Sequence, residues 1–204
     1  MTANSNWLAE VIRSRRSVRH FRREPVSHAT IEALMEAARW APSAHNAQPW
    51  RFVVLEDQQR RRDLAHAMAS RFQTDLQADG ASEGEALARA ARAEARLSEA
   101  PAVILACLTL QDAQVYPDAQ RAAAEHAMAV QSTALAVENL LLTAHRAGLG
   151  ACWLCSPLFC PEIVVRELDL PPKWEPQAFI LLGIPERAPT APGRRPLADI
   201  LVWR

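Results

Sequence analysis

The hydrophobic positions of this chain follow helical spacing in two long segments and in several short ones. Over 28–40 they recur at i, i+3, i+4 and i+7 and predict a helix that ends before Pro42. Over 119–147, steps of three and four predict a long alanine-rich helix that Gly148 closes. Residues 58–100 predict two helices with a mobile turn at "ADGASEGE". Shorter helices are predicted after Ser5 or Asn6, where Trp7, Leu8, Val11 and Ile12 share one face, and from Pro161 to near Leu170.

Four apolar runs between these helices predict buried strands. They are "RFVVLE" at 51–56, "AVILACLTL" at 102–110, "ACWLCS" at 151–156 and "AFILLGIP" at 178–185. Because strands alternate with helices, the fold class is α/β or α+β. No internal repeat or low-complexity linker interrupts the pattern, so residues 1–204 are predicted to form one domain.

Charge and composition narrow the range of partners. The formal net charge of the 204 residues is zero, which gives no reason to expect a nucleic acid or a membrane surface as partner. No apolar run approaches the roughly 18 residues of a membrane span. The N-terminal sequence lacks an apolar segment followed by a cleavage site, so we expect a cytoplasmic protein. Lys173 is the sole lysine, so an anion site must use arginine or backbone N–H groups.

The four cysteines include a C-x-x-C pair, Cys152 and Cys155, which is typical of a redox pair or of half a zinc site. The surrounding residues read as a strand, however, and residues three apart on a strand point to opposite faces. We therefore expect buried thiols that act as small hydrophobic groups, with Cys107 and Cys160 as the other two, and no metal.

The segment "RRSVR" carries the first candidate chemistry. If it is extended, Arg15, Ser17 and Arg19 project to one side over some 13 Å and could hold a phosphate at one end and a polar ring edge at the other. A solvated basic strip is the alternative interpretation. The usual nucleotide signals, G-x-G-x-x-G and the P-loop, are missing from the sequence.

The segment "APSAHNAQPWRFVV" carries the second. Asn46 and Gln48 supply donors and acceptors, small alanines leave room for a flat group, and Trp50 anchors the following strand. An ordinary helix-to-strand connector is the alternative, and His45 is either a ligand contact or structural.

Taken together, "RRSVRHF", "EAARWAPSAHNAQPWRFVV", "AGLGACW", "LGIPE" and the terminal "RRPL" resemble the nitroreductase family of FMN-dependent oxidoreductases over nearly the whole chain. The details "RWAPSAHNAQPWRFVV" and "GLGACWLCSPLFCPE" are most similar to a subgroup that includes the FMN-binding C-terminal domain of the coenzyme F-420 glutamate ligase. The resemblance implies a three-layer fold with a mixed central β-sheet flanked by helices, and a long central helix at a homodimer interface.

The resemblance also assigns the site residues. Arg15 and Ser17 match positions that bind the FMN phosphate, and Arg16 matches one near the phosphate and ribityl chain. Arg19 matches the catalytic cation over the pyrimidine end of the flavin ring, where a guanidinium would stabilise negative charge and raise the reduction potential. A loop that contacts the flavin bound to the other subunit is matched by Pro42, Ser43, Ala44 and Asn46, with Gln48 beside them. The segment that lies against the flavin ring near its N5 atom is matched by Pro157, Leu158 and Phe159. A terminal basic position at the phosphate is matched by Arg194 or Arg195.

The implied activity is a ping-pong reaction in which NAD(P)H reduces FMN and an oxidised planar acceptor then takes the hydride. The acceptor is a nitroaromatic, a quinone, an enone or a deazaflavin-type compound, with residues 58–100 helping to cover it. Two alternatives remain. One is a relative that cleaves FMN or removes halogen, which is disfavoured by the loop "AHNAQPW". The other is a flavin- or deazaflavin-binding protein without turnover.

Overall fold

The computed structural model describes residues 6–187 and 189–204. Of the two candidates for the N-cap of the first helix, Asn6 takes the position without a side-chain hydrogen bond, and Ser5 lies outside the described residues. Short 3₁₀ helices occur at Ala44–Asn46, Ser156–Phe159 and Leu197–Asp199. The main elements are α1 (Trp7–Ser14), α2 (His28–Arg39), β1 (Trp50–Val54), α3 (Gln58–Ala78), α4 (Glu83–Ser98), β2 (Ala102–Leu108), α5 (Ala119–Arg146), β3 (Gly150–Leu154), α6 (Pro161–Leu168) and β4 (Glu175–Gly183).

The four strands form one sheet in the order β1-β2-β4-β3, with every neighbouring pair antiparallel. The mixed α and β class is confirmed. Within the described ranges, parallel pairing enters only as the isolated bridge between Ser17 and Ala151, at the β3 edge. The edge strand β3 is therefore the place where the N-terminal segment joins the sheet.

Each face of the sheet is covered by a separate hydrophobic core. Ile104 and Ile180 face each other across β2 and β4 and pack toward α2 and α5. Their neighbours Leu105 and Phe179 point to the other face, toward α3 and α6. Because side chains alternate along a strand and all four residues are fully buried, the two central strands support three layers: helices, sheet and helices.

The long helix α5 begins and ends where the sequence predicted. The Asp118 side chain accepts the Arg121 N–H at 2.9 Å as an N-cap. At the other end Gly148 has φ of +80°, which L-residues adopt at a cost, and the Leu149 N–H donates to the Ala144 carbonyl. By length and composition alone α5 could cross a membrane, contrary to the expectation from the sequence, but one of its faces is buried against α2 and the sheet.

Helices α3 and α4 form an antiparallel hairpin, as predicted for residues 58–100, joined by a short turn at Gly80. Contacts along the hairpin fix its register. Arg61 donates to the Ser98 carbonyl at 3.0 Å, and His66 Nδ1 lies 3.4 Å from Glu94 Oε1. The C-terminal end of α4 is therefore level with the start of α3, next to the body of the domain.

Candidate functional site

The basic strip, residues 15–19, lies extended along the edge of β3. Ser17 bridges Ala151 in parallel, and the Val18 N–H donates to the Ala151 carbonyl at 2.9 Å. The approach is close because residue 150 is glycine: a Cβ there would lie 2.7 Å from Val18 Cβ. Val18 is buried while Ser17 and Arg19 are exposed, so the strip presents its polar side chains outward as predicted.

The start of the strip is strongly basic. Arg15 is one-quarter exposed, with Nε 3.8 Å from Glu138 Oε1 on α5. Arg16 is half-buried and donates to the Arg13 carbonyl. Burial lowers the pKa of His145, and Arg15 and Arg16 lower it further, so this imidazole is a neutral partner for the Ser14 hydroxyl 2.7 Å away. Two guanidiniums around a neutral histidine make this end of the strip attractive to an anion.

The loop at 42–48 has an unusual backbone. His45, Asn46 and Gln48 have φ of 54°, 54° and 45°, a left-handed conformation that costs roughly 1–2 kcal/mol per residue for most side chains. Ser43 Oγ accepts the Gln48 N–H at 3.0 Å, and the Gln48 amide donates to Asn46 Oδ1 at 3.3 Å. The loop is thus held by its own side chains, and such strain is typical of ligand-contacting segments.

Two residues of α5 that the sequence did not indicate lie against this loop. The Ser132 hydroxyl accepts the Ala44 N–H at 3.3 Å. Glu125 is buried, accepts the Gln114 N–H at 3.1 Å through Oε1, and has Oε2 at 4.0 Å from His45 Nε2. Among the described residues Oε2 has no hydrogen-bond partner. An acid among the buried positions of a helix is the one signal that could have revealed Glu125.

The structure does not bring the strip and the loop together within one chain. The loop contacts α5 at Ser132, whereas Arg15 contacts it at Glu138 and Ser14 contacts it at His145. An α-helix rises 1.5 Å and turns 100° per residue. The contacts at Glu138 and His145 are therefore about 9 and 20 Å from the contact at Ser132 along the axis of α5, and roughly 120–140° away around it. No hydrogen bond or ion pair between strip and loop occurs in the part of the chain described.

A cleft of about 520 Å³ opens between the α3–α4 hairpin and the end of β3. Its walls are mainly apolar and include Phe72, Leu97, Trp153 and Phe159. Of the predicted ring contacts, Pro157 is buried, while Leu158 and Phe159 are 52% and 76% exposed. Phe159 thus lines the cleft and has free surface for a flat ligand. A smaller cavity of about 160 Å³, beside Arg61, contains none of the predicted site residues.

The cysteines behave largely as predicted. Cys152 is buried within β3, Cys155 is exposed just after the end of that strand, and all four thiols are free. Burial raises the pKa of Cys107 to about 12 and also raises the pKa of Cys160. Residues 6–187 and 189–204 contain no cluster able to hold a metal ion. Cys155 departs from the prediction of a buried thiol: it lines the cleft, where Trp153 Nε1 donates to its sulfur at 3.0 Å.

The C-terminal segment is exposed. Arg194 donates to the carbonyls of its neighbours Pro192 and Gly193, and Arg195 is also at the surface. Val202 and Trp203 are 74% and 87% exposed, a large apolar surface for the end of a chain. Contact of either arginine with a phosphate therefore stays a prediction.

Comparison with known proteins gives consistent matches along the chain. The model of the nitroreductase family matches residues 12–184. A 5,6-dimethylbenzimidazole synthase of Rhodobacter capsulatus is 36% identical over 184 residues, covering 88% of this chain and 84% of that protein. An NADH dehydrogenase of Thermus thermophilus is 29% identical over 214 residues, covering 93% and 92%.

A solved structure extends the match to three dimensions. The crystal structure of a candidate nitroreductase from Desulfovibrio desulfuricans in complex with FMN superposes with a TM-score of 0.75 at 28% identity, covering 100% of this chain and 98% of that one. These relatives support the family, and they do not single out the F-420 ligase subgroup within it.

Proposed function

Because this chain belongs to the nitroreductase family, we propose that it is an FMN-dependent oxidoreductase that takes its electrons from NAD(P)H. The observation that carries the proposal is the position of the basic strip beside β3. Ser17 pairs in parallel with Ala151. Burial raises the pKa of the Cys152 thiol, and Arg19 is close enough to that thiol to act in the opposite direction. The next residue of β3, Trp153, lines the apolar cleft. A phosphate-sized cluster of cations and an apolar cleft thus adjoin the same strand. A cytoplasmic location is part of the proposal.

The donor set of the strip fits FMN. A phosphate with nearly two negative charges needs at least two cations, which Arg15 and Arg16 supply, and the Ser17 hydroxyl adds a hydrogen-bond donor. The ring would then lie beside Arg19 and against Pro157–Phe159, where Arg19 stabilises negative charge at the pyrimidine end. When bound, FMN supplies the two-electron chemistry, so the chain needs no nucleophile of its own.

The second half of the site comes, in this proposal, from the other subunit of a homodimer. Support comes from the separation of strip and loop on α5 and from the exposed apolar surface of α1 and the C-terminal segment, including Trp7, Ile12 and Trp203. Pro42, Ser43, Ala44, Asn46 and Gln48 would contact the flavin of the partner, and Arg194 or Arg195 would reach a phosphate.

A mixed dimer tests the two-subunit site. Chains carrying Arg19→Ala and Asn46→Ala are co-expressed with different affinity tags, and the heterodimer is isolated. If strip and loop serve one site from two chains, the heterodimer has one intact site and one doubly altered site. It should then reach about half of wild-type turnover while both altered homodimers stay low. Turnover equal to the average of the two homodimers would place each site within one chain.

NAD(P)H and the acceptor would use the same cleft in turn, a ping-pong scheme, because one apolar cleft of this size lies beside Phe159. The acceptor class is a planar nitroaromatic, quinone, enone or deazaflavin-type compound. The test is the visible spectrum of the purified protein, followed by steady-state NADH and NADPH oxidation with a quinone. A protein that neither carries nor takes up FMN would contradict the proposal. Bound flavin without turnover would instead identify a flavin carrier.

Flavin cleavage is the second candidate reaction. The loop sequence "AHNAQPW" disfavours it, but the 36% identity to a 5,6-dimethylbenzimidazole synthase supports it. The two reactions differ in the fate of the flavin. We would reduce the FMN-loaded protein, admit oxygen and record the absorption spectrum. Full return of the flavin spectrum supports the reductase, and irreversible loss of the chromophore supports cleavage.

A further inference from the structure

Arg96 on α4 enters the cleft although no sequence motif includes it. It lines the cleft with Ala93 and Leu97, near the end of the hairpin that lies against the domain. The register set by Arg61 and Ser98 places Arg96 close to the level of Leu64 and Ala65 at the start of α3. Its guanidinium is therefore at the inner end of the cleft, away from the turn at Gly80.

The other charges that line the cleft are neutralised or distant. Arg71 Nε lies 2.9 Å from Asp75, and its Nη1 lies 3.0 Å from Glu162. Asp79 lines the opposite end, because 14 residues of α3 from Ala65 onward span about 21 Å. Arg96 forms no ion pair with any residue that the structure describes. One cation at the inner end of the cleft is thus available to a ligand.

Arg96 and the basic strip are both close to β3. Burial raises the pKa of the Cys152 thiol in this strand, and the nearby charges of Arg19, Arg96 and Arg15 lower it. Arg15 and Arg19 belong to the strip, whereas Arg96 belongs to α4 and lines the cleft.

The rest of the cleft lining is mainly apolar. Met68 and Phe72 line it from α3, and Trp153 of β3 and Phe159, which follows that strand, also line it. We propose that Arg96 binds an anionic group of the acceptor, so that the preferred substrate is a planar aromatic compound bearing a carboxylate or a comparable anion. The inference rests on the proposed function, because it concerns the acceptor of the same site. Aromatic walls hold the ring, and the guanidinium selects its charge and orientation.

Direct binding tests the inference without turnover. The ligands are 4-nitrobenzoate and 4-nitrobenzamide, which share ring and nitro group and differ in charge, and binding to the FMN-loaded protein is measured by calorimetry. We expect Arg96→Gln to weaken 4-nitrobenzoate binding about tenfold and to change 4-nitrobenzamide binding less than twofold. Arg92→Gln, one turn earlier on α4, exposed and outside the cleft lining, is the matched control and should change neither.

Several outcomes would overturn the assignment. Equal binding of the two ligands by the unaltered protein, or equal weakening of both by Arg96→Gln, removes the charge preference. Weaker FMN binding in Arg96→Gln assigns the residue to the cofactor, and a raised KM for NADH without a change for nitrobenzoate assigns it to the nucleotide. If the charge preference in binding is present but neither NADH nor NADPH supports reduction of these compounds or of a quinone, the proposed function fails and the anion site stands.

Discussion

The strip at 15–19 and the loop at 42–48 form polar surfaces by different means. The strip is positioned by its backbone: the Val18 N–H donates to the Ala151 carbonyl and Val18 packs on Gly150, while the side chains of Ser17 and Arg19 are exposed. The side chains of the loop hydrogen-bond within the loop itself: Ser43 and Asn46 both accept from Gln48, and three residues have positive φ. The strip is thus preformed within one chain, whereas the loop stores strain that contacts with a ligand or partner subunit can offset.

Of the substitutions that separate strip from loop, Gly150→Ala is expected to have the largest effect. A Cβ would overlap Val18 Cβ, which belongs to a stiff side chain, so the strip must move away from β3. We expect a loss of about 2–3 kcal/mol in the free energy of unfolding and weaker FMN binding. Chemical denaturation and flavin titration measure the two effects.

The matched control for that variant is Gly84→Ala, where a new Cβ on α4 meets no atom within 4 Å. It should stabilise the protein by up to about 1 kcal/mol, because alanine favours helix more than glycine does. Unchanged stability and FMN affinity in Gly150→Ala would show that the close approach does not position the strip.

Arg19→Ala removes the exposed side chain at the end of the strip and leaves its backbone in place. We expect the flavin to be reduced by NADH roughly tenfold more slowly and its reduction potential to fall, because a nearby cation stabilises developing negative charge. Stopped-flow absorbance and a redox titration record both. Arg23→Ala, also exposed but beyond the strip, is the control, and an unchanged rate in Arg19→Ala would refute the electrostatic role.

Ser43→Ala loosens the loop. It removes the acceptor of the Gln48 N–H, a bond of 3.0 Å at the strained backbone, and should cost about 1 kcal/mol in the free energy of unfolding. Thermal unfolding of Ser43→Ala is compared with that of Ser70→Ala, an exposed serine on α3. FMN affinity should fall for Ser43→Ala alone, and an equal fall in both variants would argue that the loop has no part in the site.

The smallest effect concerns His145 at the start of the strip. Its pKa lies below the ordinary 6.5 because of burial and then of Arg15 and Arg16. Protonation of a group with a depressed pKa opposes folding, so its contribution to stability is lost as the pH falls below 6.5. A phosphate paired with both arginines should raise the pKa. An NMR titration with and without FMN would show this, and an identical titration would place the phosphate elsewhere.

Most helices and strands could be predicted from the sequence because their burial pattern is periodic. The helix at 28–40 and the long helix to Gly148 both have one buried face, and each is closed by a residue with a clear backbone preference. The sheet order could not be predicted in the same way, because runs such as "AVILACLTL" are buried on both faces and carry no information about their neighbours.

The candidate site was only partly predictable for a related reason. The sequence indicated Arg15, Ser17 and Arg19 as one row because that row depends on local alternation. Glu125 and Arg96 reach the loop and the cleft through helix packing, and their roles follow from register between distant segments. The role of Gly150 could not be predicted from the sequence either. A Cβ at this position would lie 2.7 Å from the Cβ of Val18, which is 132 positions earlier in the chain.

The α3–α4 hairpin forms one wall of the cleft, and α4 packs mainly on α3. The cover is therefore a single contiguous stretch, 58–98, inserted between two strands that pair directly with each other. Substitutions on the inner face of that stretch can change which molecules enter while the sheet and the strip keep their sequence. A lineage could thus acquire a new acceptor by altering one segment, and chimaeras that exchange only this hairpin are the natural way to transfer specificity between relatives.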